Sequence, residues 1–489
     1  MIRRIAIQAA LILALAAPMC PAEQEITLDD FIGTAIENNP RYRITAEEYL
    51  IALYSDRSAQ SIGDLNLIAS ALWTESYPSP LSYFTSYQNT VGYSVGLEKL
   101  FPETGTSVKL EQGTLKTRSE TAAIPGFPSF PDEAYTSNIT LSIVQPLMKD
   151  AFGLITKKSL EISSRSRELA EIKLTEDWED FIAYLTDEYR RWQLCHTNVE
   201  LYRNKLKRVE SQLYLVERQR KLGLSEELDL IQIRQKFQGY KLMLEQAKMD
   251  CETQSKRVKR VIGREDNTEE LVPDEFESNG TVPPEEIAMS YLNAKSNIKS
   301  TADLLVRIQK TNFEMKENET LPELTLVMEA NPNSYADNLD DSYTEIGTYR
   351  DYTVSLNASR PLFNDAADAE RDRAREEYEK AMDERKDIML QSQIGLEGLY
   401  INLKYLDTML KLNEHDLELA EERLRLEKEK YDQGRNTIFF VLQAEDDLLE
   451  AENRKNGTLF ARESVINQIK LFTDQYALDY SDVISTEGI

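Results

Sequence analysis

Only two histidines occur in the 489-residue sequence, His196 and His415. Acid–base catalysis or a zinc site would need one of them beside a carboxylate, a thiol or a second imidazole at ligand spacing. Neither sits in such a cluster along the chain. Beyond the first 22 residues the cysteines are Cys195 and Cys251, each 28 positions from Gly223. An antiparallel hairpin turning at Gly223 puts them at one height. Equal height is not bond geometry, which needs Cα atoms within about 7 Å, so a disulfide and two buried thiols both stay open. Acidic pairs such as Glu226–Glu227 and Asp446–Asp447 read as solvated helix faces, or, beside an aqueous entrance, as a bias toward cations. No nucleophile–base pair, phosphate loop or metal signature stands out. The reading is of no enzyme, with no catalytic residue, no cofactor and no metal.

Residues with so little chemistry to perform must be serving a shape. Charged residues make up 29% of the chain and hydrophobic ones 41%, with only 18 Gly and 16 Pro. That mix, in long Leu/Glu/Lys/Arg stretches, points to long helices and coiled coil. Residues 1–22 read as a signal peptide: Arg3 and Arg4, the apolar run "IAIQAALILALAA", then a small-x-small site ending at Ala22. Cys20 is an alternative lipidation site. The net charge of −28 argues against nucleic acid and anionic membrane surfaces as partners. No later stretch has about 20 consecutive apolar residues, so any membrane crossing here is made by β-strands.

The helical pattern opens at "ITLDDF", with Thr27 as N-cap and Asp30 in the first turn. From about residue 66 the period changes to two. Val91, Tyr93, Val95 and Leu97 alternate with Gly92, Ser94, Gly96 and Glu98; Ile139, Leu141 and Ile143 alternate with Asn138, Thr140 and Ser142. One apolar and one polar face is what a strand between lipid and a wet lumen requires. After "QPLMKD" (145–150) a helix runs to about Leu222. Its seam is Trp178, Leu185, Trp192, Val199, Leu206 and Leu213, all seven apart. The chain turns at Gly223 and returns along Leu230, Phe237, Leu244, Cys251 and Val258.

The plan then repeats. A polar connector (264–284) leads to a helix, a strand at 323–330, a polar acidic loop at 331–345 and a strand at 351–359. "RPLFND" (360–365) echoes "QPLMKD". Leu396, Leu403, Leu410, Leu417, Leu424 and Tyr431 mark a second long helix, which turns at "QGRN". The expected division is a first repeat at 23–263 (strands about 66–146, tip near 223) and a second at 285–475 (strands about 322–361, tip near 434). A tail at 476–489 follows. A period this long is a duplicated domain. Four to six strands per chain cannot close around a wet lumen, and open sheet edges are not tolerated in lipid. The chain must therefore share a barrel with copies of itself. The fold class expected is mainly α with membrane β-strands: a duplicated helix–strands–long helix–turn–helix unit.

The pieces "TLDDFIGTAIENNPRY", "QPLMKD", "RPLFND" and "YDQGRNTIFFVLQA", in this order and spacing, resemble the TolC family of outer-membrane efflux proteins over about residues 25–480. The resemblance implies a homotrimer, with a β-barrel in outer-membrane lipid continuing into a periplasmic α-helical barrel. It implies the exit duct of a tripartite efflux pump or a type I secretion system, with a periplasmic adaptor and an inner-membrane transporter as partners. The class that competes with it is a structural or adhesive coiled-coil envelope protein without transport.

The resemblance also makes the two turns the periplasmic tips, where the duct is gated. Gly223 and Ser225 of the first tip align with Gly434 and Asn436 of the second. Tyr431 and Gly434 match the family's tip, Tyr431 in a helix-locking role. Where a familiar relative carries charges, this chain has Asn436, Phe440 and Gln443. Phe439 and Phe440 either pack within the hairpin, or Phe440 faces the lumen as an apolar constriction that gates by dewetting.

Overall fold

The computed structural model describes residues 24–77, 85–121, 131–223, 225–264, 271–276 and 280–480. The expected signal peptide and Cys20 lie outside them. Two compact units form: one from Met1–Glu47, Lys173–Lys299 and Ile388–Ile489, the other from Glu48–Ile172 and Ser300–Asp387.

The second unit holds a six-stranded antiparallel sheet, in the order β2-β3-β4-β5-β7-β8. Its strands are β2 (Asn66–Ser76), β3 (Thr85–Phe101), β4 (Thr106–Thr121), β5 (Glu133–Pro146), β7 (Glu323–Ala336) and β8 (Tyr349–Ser359). The alternation seen in the sequence fixes the faces. Leu67, Leu97, Leu110, Leu141, Ala330 and Tyr352 are successive cross-strand partners, so they line one face. Val108, Ile143, Met328 and Val354 form the next row of that face. The opposite face carries Glu98, Lys109, Ser142, Glu329 and Thr353 in one row, and Ser94, Gly113, Asn138 and Asn333 in another. Much of the apolar face is bare: Leu67 is 73% and Val354 74% exposed.

One expectation needs correction here. The polar loop expected at 331–345 is largely structured: β7 runs on to Ala336, and a short helix, Leu339–Thr344, follows. Asn338 caps that helix by accepting from the Asp341 N–H at 2.9 Å. Ser342 then reaches Ser137 at 2.9 Å, so the helix covers a polar row, Thr114–Ser137–Ser334, on the otherwise apolar face of the sheet. Local hydrogen bonds of this kind leave no hydrophobic period to read. The long helices begin after "QPLMKD" and at the end of "RPLFND", where the sequence put them. After Pro146 the chain makes a short 3₁₀ turn before its helix starts at Leu154. Asp150 sets the start, with its Oδ1 accepting from the Ile155 N–H at 2.7 Å. Gly153 is required in that turn: its φ is +66°, and an added Cβ would collide with the Pro102 carbonyl oxygen.

Helices α1 (Leu28–Asn38) and α2 (Pro40–Gln60) precede the sheet. Thr27 caps α1 by accepting from the Asp30 N–H. The long helices α3 (Leu154–Lys221) and α8 (Asp365–Asp432) each have 68 residues, and their returning partners α4 (Glu227–Val261) and α9 (Ile438–Phe472) each have 35. The duplication is thus equal in length in both hairpins. Among the described residues, no helix is long and apolar enough to cross a membrane.

The first unit packs on the heptad positions. Leu185 and Trp192 are buried with Phe181, Tyr189, Val258 and Ile262, against Phe31 and Ile32 of α1, and the buried Trp178 stacks on Tyr42 at 4.7 Å. Leu396 and Leu403 pack on Leu292, Ile466 and Ile469. The connector holds a feature without a sequence signal: Leu271–Pro273 (β6) pairs in parallel with Gln24–Ile26 (β1). The Tyr189 hydroxyl secures this pairing, lying 2.6 Å from both the Ile26 carbonyl oxygen and Asp274 Oδ1. Three-residue strands are too short for periodicity to reveal.

Cys195 on α3 and Cys251 on α4 are joined as a disulfide, with Cα atoms 5.1 Å apart. His196 lies beside them, one of its ring nitrogens and both sulfurs within 4.8 Å of one another. Sequence spacing alone left this histidine unclustered. Sulfurs bonded to each other are not thiolate ligands. Thiol titration of the mature protein, denatured without reductant, is expected to find no free thiol; two would refute the bond. Cys195→Ser/Cys251→Ser should cost about 2–4 kcal/mol of stability, read as a lower thermal midpoint.

Candidate functional site

The site is built at the paired ends of the two hairpins, within the first unit. Gly223 (φ +73°) and Gly434 (φ +66°) take the left-handed conformation that ends a helix. The Arg435 N–H closes the second tip onto the Lys430 carbonyl at 2.9 Å, and the Gly434 N–H donates to that of Tyr431 at 2.9 Å. At the first tip, Asp229 accepts from Ser225 Oγ at 3.2 Å and from the Glu226 N–H at 3.3 Å, completing a capping box. Behind both turns lies one apolar cluster, including Val216, Leu230, Ile233, Leu424, Ile438, Val441 and Leu448.

Tyr431 ties one hairpin to the other. Its hydroxyl donates to Gln219 Oε1 of α3 at 2.6 Å. Burial, and then Asp229 and Asp432, hold its phenol above the usual value, so it remains a protonated donor. Asn436 donates from Nδ2 to Glu427 and accepts from the Thr437 N–H at 2.9 Å. It is a neutral, local clasp within its own turn. Gln443 is exposed. Phe439 and Phe440 are 51% and 44% exposed, so on the single chain neither is packed inside the hairpin. Their rings meet edge to face at 5.5 Å. Of the residues singled out at the tips, Tyr431 alone reaches the other hairpin by a hydrogen bond among those described.

Sequence reasoning missed the strongest charge in the site. Glu445, two turns into α9, is fully buried. Its carboxylate meets Lys205 Nζ at 3.0 Å, Lys428 Nζ at 2.9 Å and Arg208 Nε at 3.3 Å, and accepts from Gln212 Nε2 at 3.2 Å. Burial pushes its pKa up, but Lys205 and Lys428 outweigh that and hold it below the ordinary value. Lys205 is itself fully buried and lies 4.9 Å over the Tyr240 ring. Tyr240 donates to Asp446, which pairs with Lys236 at 2.6 Å, and Asp447 pairs with Arg423. Asp446 and Asp447, read as solvated, are therefore ion-paired. The cluster draws α3, α4, α8 and α9 together. One signal pointed to Glu445: it falls on α9 between the buried Val441, Leu442, Ala444 and Leu448.

A second buried acidic group lies elsewhere in the same unit. Burial first, and then Asp474, raise Glu179 to about 8 and Glu176 to about 7. Glu179 Oε1 accepts from the Ala477 N–H at 2.8 Å, and Asp474 Oδ2 accepts from Tyr291 at 2.9 Å.

Residues 302–469 match the family model described as outer membrane efflux protein. No curated protein matches the sequence. Among solved structures, the fold is similar to the outer membrane protein VceC of Vibrio cholerae: 15% identity, 91% of this chain and 94% of that one, TM-score 0.66. It is similar to the CmeC outer membrane channel of Campylobacter jejuni: 13% identity, 94% and 90% covered, TM-score 0.67. The open state of the MtrE outer membrane channel of Neisseria gonorrhoeae gives 13% identity, 91% and 88% covered, and TM-score 0.66. At these identities the likeness is one of fold.

Two outcomes follow. Glu445→Ala leaves Lys205 as a buried, uncompensated charge and should destabilise by about 3–5 kcal/mol; Lys205→Met/Glu445→Leu should recover most of that loss in the same melting assay. For Glu179, the folded-state pKa lies above the unfolded value of about 4.3, so its contribution favours folding most at low pH and is lost as pH rises toward 8. Glu179→Gln should therefore melt progressively higher than wild type between about pH 5 and 8, with a constant gain above. A gain independent of pH would count against a buried proton there.

Proposed function

We propose that this chain, which resembles the TolC family and carries an outer membrane efflux protein domain on a channel fold, is an outer-membrane exit duct. It would serve a tripartite efflux pump or a type I secretion system, as a passive conduit without catalytic chemistry. The observation that supports this most directly is the sheet: one face carries rows of apolar side chains and the other is mainly polar, and among the described residues no helix is long and apolar enough to cross a membrane. A structural or adhesive coiled-coil protein has no use for such a sheet.

In this reading three copies close the barrel in outer-membrane lipid, and the helical hairpins extend into the periplasm as a second barrel. The inner mouth is formed by six tips, two per chain. A periplasmic adaptor and an inner-membrane transporter would engage there, and the transporter would select the cargo. The domain division follows the same plan, with a cleaved signal peptide at 1–22, repeats at 23–263 and 285–475, the connector at 264–284 and the tail at 476–489.

The gate would be held by two kinds of contact. Within the chain, Tyr431–Gln219 and the Glu445 cluster keep the two hairpins together. Between chains, Phe440 of each second tip would form an apolar ring, since Asn436 and Gln443 supply no charge. Net negative lumen faces, with Glu98, Glu111, Glu329 and Asp351 against Lys109, favour cations.

Purified protein added to planar bilayers is expected to insert as trimers with small, cation-selective conductance. Phe440→Ala should raise that conductance several-fold, and Tyr431→Phe, lacking only a hydroxyl, should raise the frequency of openings. Extraction as a water-soluble rod that never inserts would sink the duct reading. Insertion with unchanged Phe440→Ala conductance would sink only the apolar gate.

A further inference from the structure

The six-stranded sheet ends in two unpaired strands, β2 and β8, and this bears on how wide the pore is. Resting on the duct reading above, we propose that β8 of one chain pairs with β2 of the next copy, so that a trimer closes one eighteen-stranded barrel.

Four features carry the proposal. The strands alternate in direction across the sheet order, and six is an even number. A β2 placed beside β8 of a neighbour therefore runs antiparallel to it, as every other pair in this sheet does. Both edge strands have 11 residues, so neither overhangs the other with unpaired backbone. Both are almost wholly exposed along their length, and no element of the same chain covers either edge among the described residues. Finally, the faces continue across the seam. β8 presents Tyr352, Val354 and Leu356 on the apolar side, and β2 presents Leu67, Ala69, Ala71 and Trp73 on that side.

The physical requirement is the backbone. An N–H or C=O left unpaired in hydrocarbon costs several kcal/mol, and each edge would expose a row of them. A smaller barrel would have to discard a hairpin from each chain. The pairing of β3 with β4, sixteen partners long from Thr85–Thr121 to Phe101–Thr106 with one register shift between Thr85 and Tyr87, leaves none to discard. With strands about 4.8 Å apart and tilted about 40°, eighteen strands make a barrel roughly 36 Å across between backbones. Twelve strands would make one of about 24 Å by the same geometry. Barrels of the larger class keep an open aqueous channel, so the sheet would not limit passage. The constriction is left to the helical tips, and the outer aperture would accept folded or bulky cargo.

Cysteine cross-linking in the full-length, membrane-extracted protein tests the seam. Val354→Cys is combined in turn with Leu67→Cys, Ala69→Cys, Ala71→Cys or Trp73→Cys, four positions that span the possible registers. One or two neighbouring combinations should give disulfide-linked dimers and trimers on non-reducing gels. Val354→Cys with Ser70→Cys, on the polar face, and with Val95→Cys, inside the sheet, should give none. Electron cryo-microscopy of the trimer should count eighteen strands in one ring. A trimeric, conducting protein with twelve strands in its ring, or with no cross-link in any of the four combinations, overturns the proposal and leaves the duct reading standing. Failure to form any trimer or to insert in bilayers overturns both.

Discussion

A β-sheet cannot stop inside hydrocarbon. Every backbone donor and acceptor there must find a partner, because water does not compete and the cost of leaving one bare is several kcal/mol. In this protein the requirement falls on a sheet of six strands, polar on one face and apolar on the other, with both edges open. In the reading proposed above, an oligomer, an axial pore and an apolar exterior are answers to that constraint.

The helical unit answers a different constraint. Each hairpin buries its seam against the other rather than against solvent, and the two hairpins need something to hold them near their ends. The apolar cluster behind the tips does part of this. The rest is done by a carboxylate, Glu445, surrounded by cations from α3 and α8. An ion pair this deep adds little net stability over an apolar replacement. It does specify one arrangement of four helices, since a displaced helix leaves a buried charge alone. That would suit the gate proposed for the hairpin tips. The neutral turn at Asn436 and the exposed Phe439–Phe440 pair divide the work differently from a tip held by its own charges.

The architecture was largely legible beforehand because it is written in periods. Seven-residue spacing marked Trp178 to Leu213 and Leu396 to Tyr431 as helix seams, and two-residue alternation marked Val91 to Leu97 and Ile139 to Ile143 as strands. The echo of "QPLMKD" in "RPLFND" located the duplicated junction. Features without a period escaped: the three-residue pairing of β1 with β6 and the short helix at Leu339–Thr344. The family-model match over residues 302–469 and the likeness in fold to outer membrane channels agree with what the resemblance implied.

By itself, then, the sequence determined the element types, their order, the duplication and which face of each strand is apolar, since all of these depend on neighbours a few residues away. Only the tertiary structure decided the rest. It brought Cys195 to Cys251, Tyr431 to Gln219, and Lys205 and Lys428 to Glu445. It set the large sheet at six strands among the described residues. These are contacts between segments far apart in the chain, and spacing along a sequence sets height on a helix but not which way a side chain turns or what lies across from it.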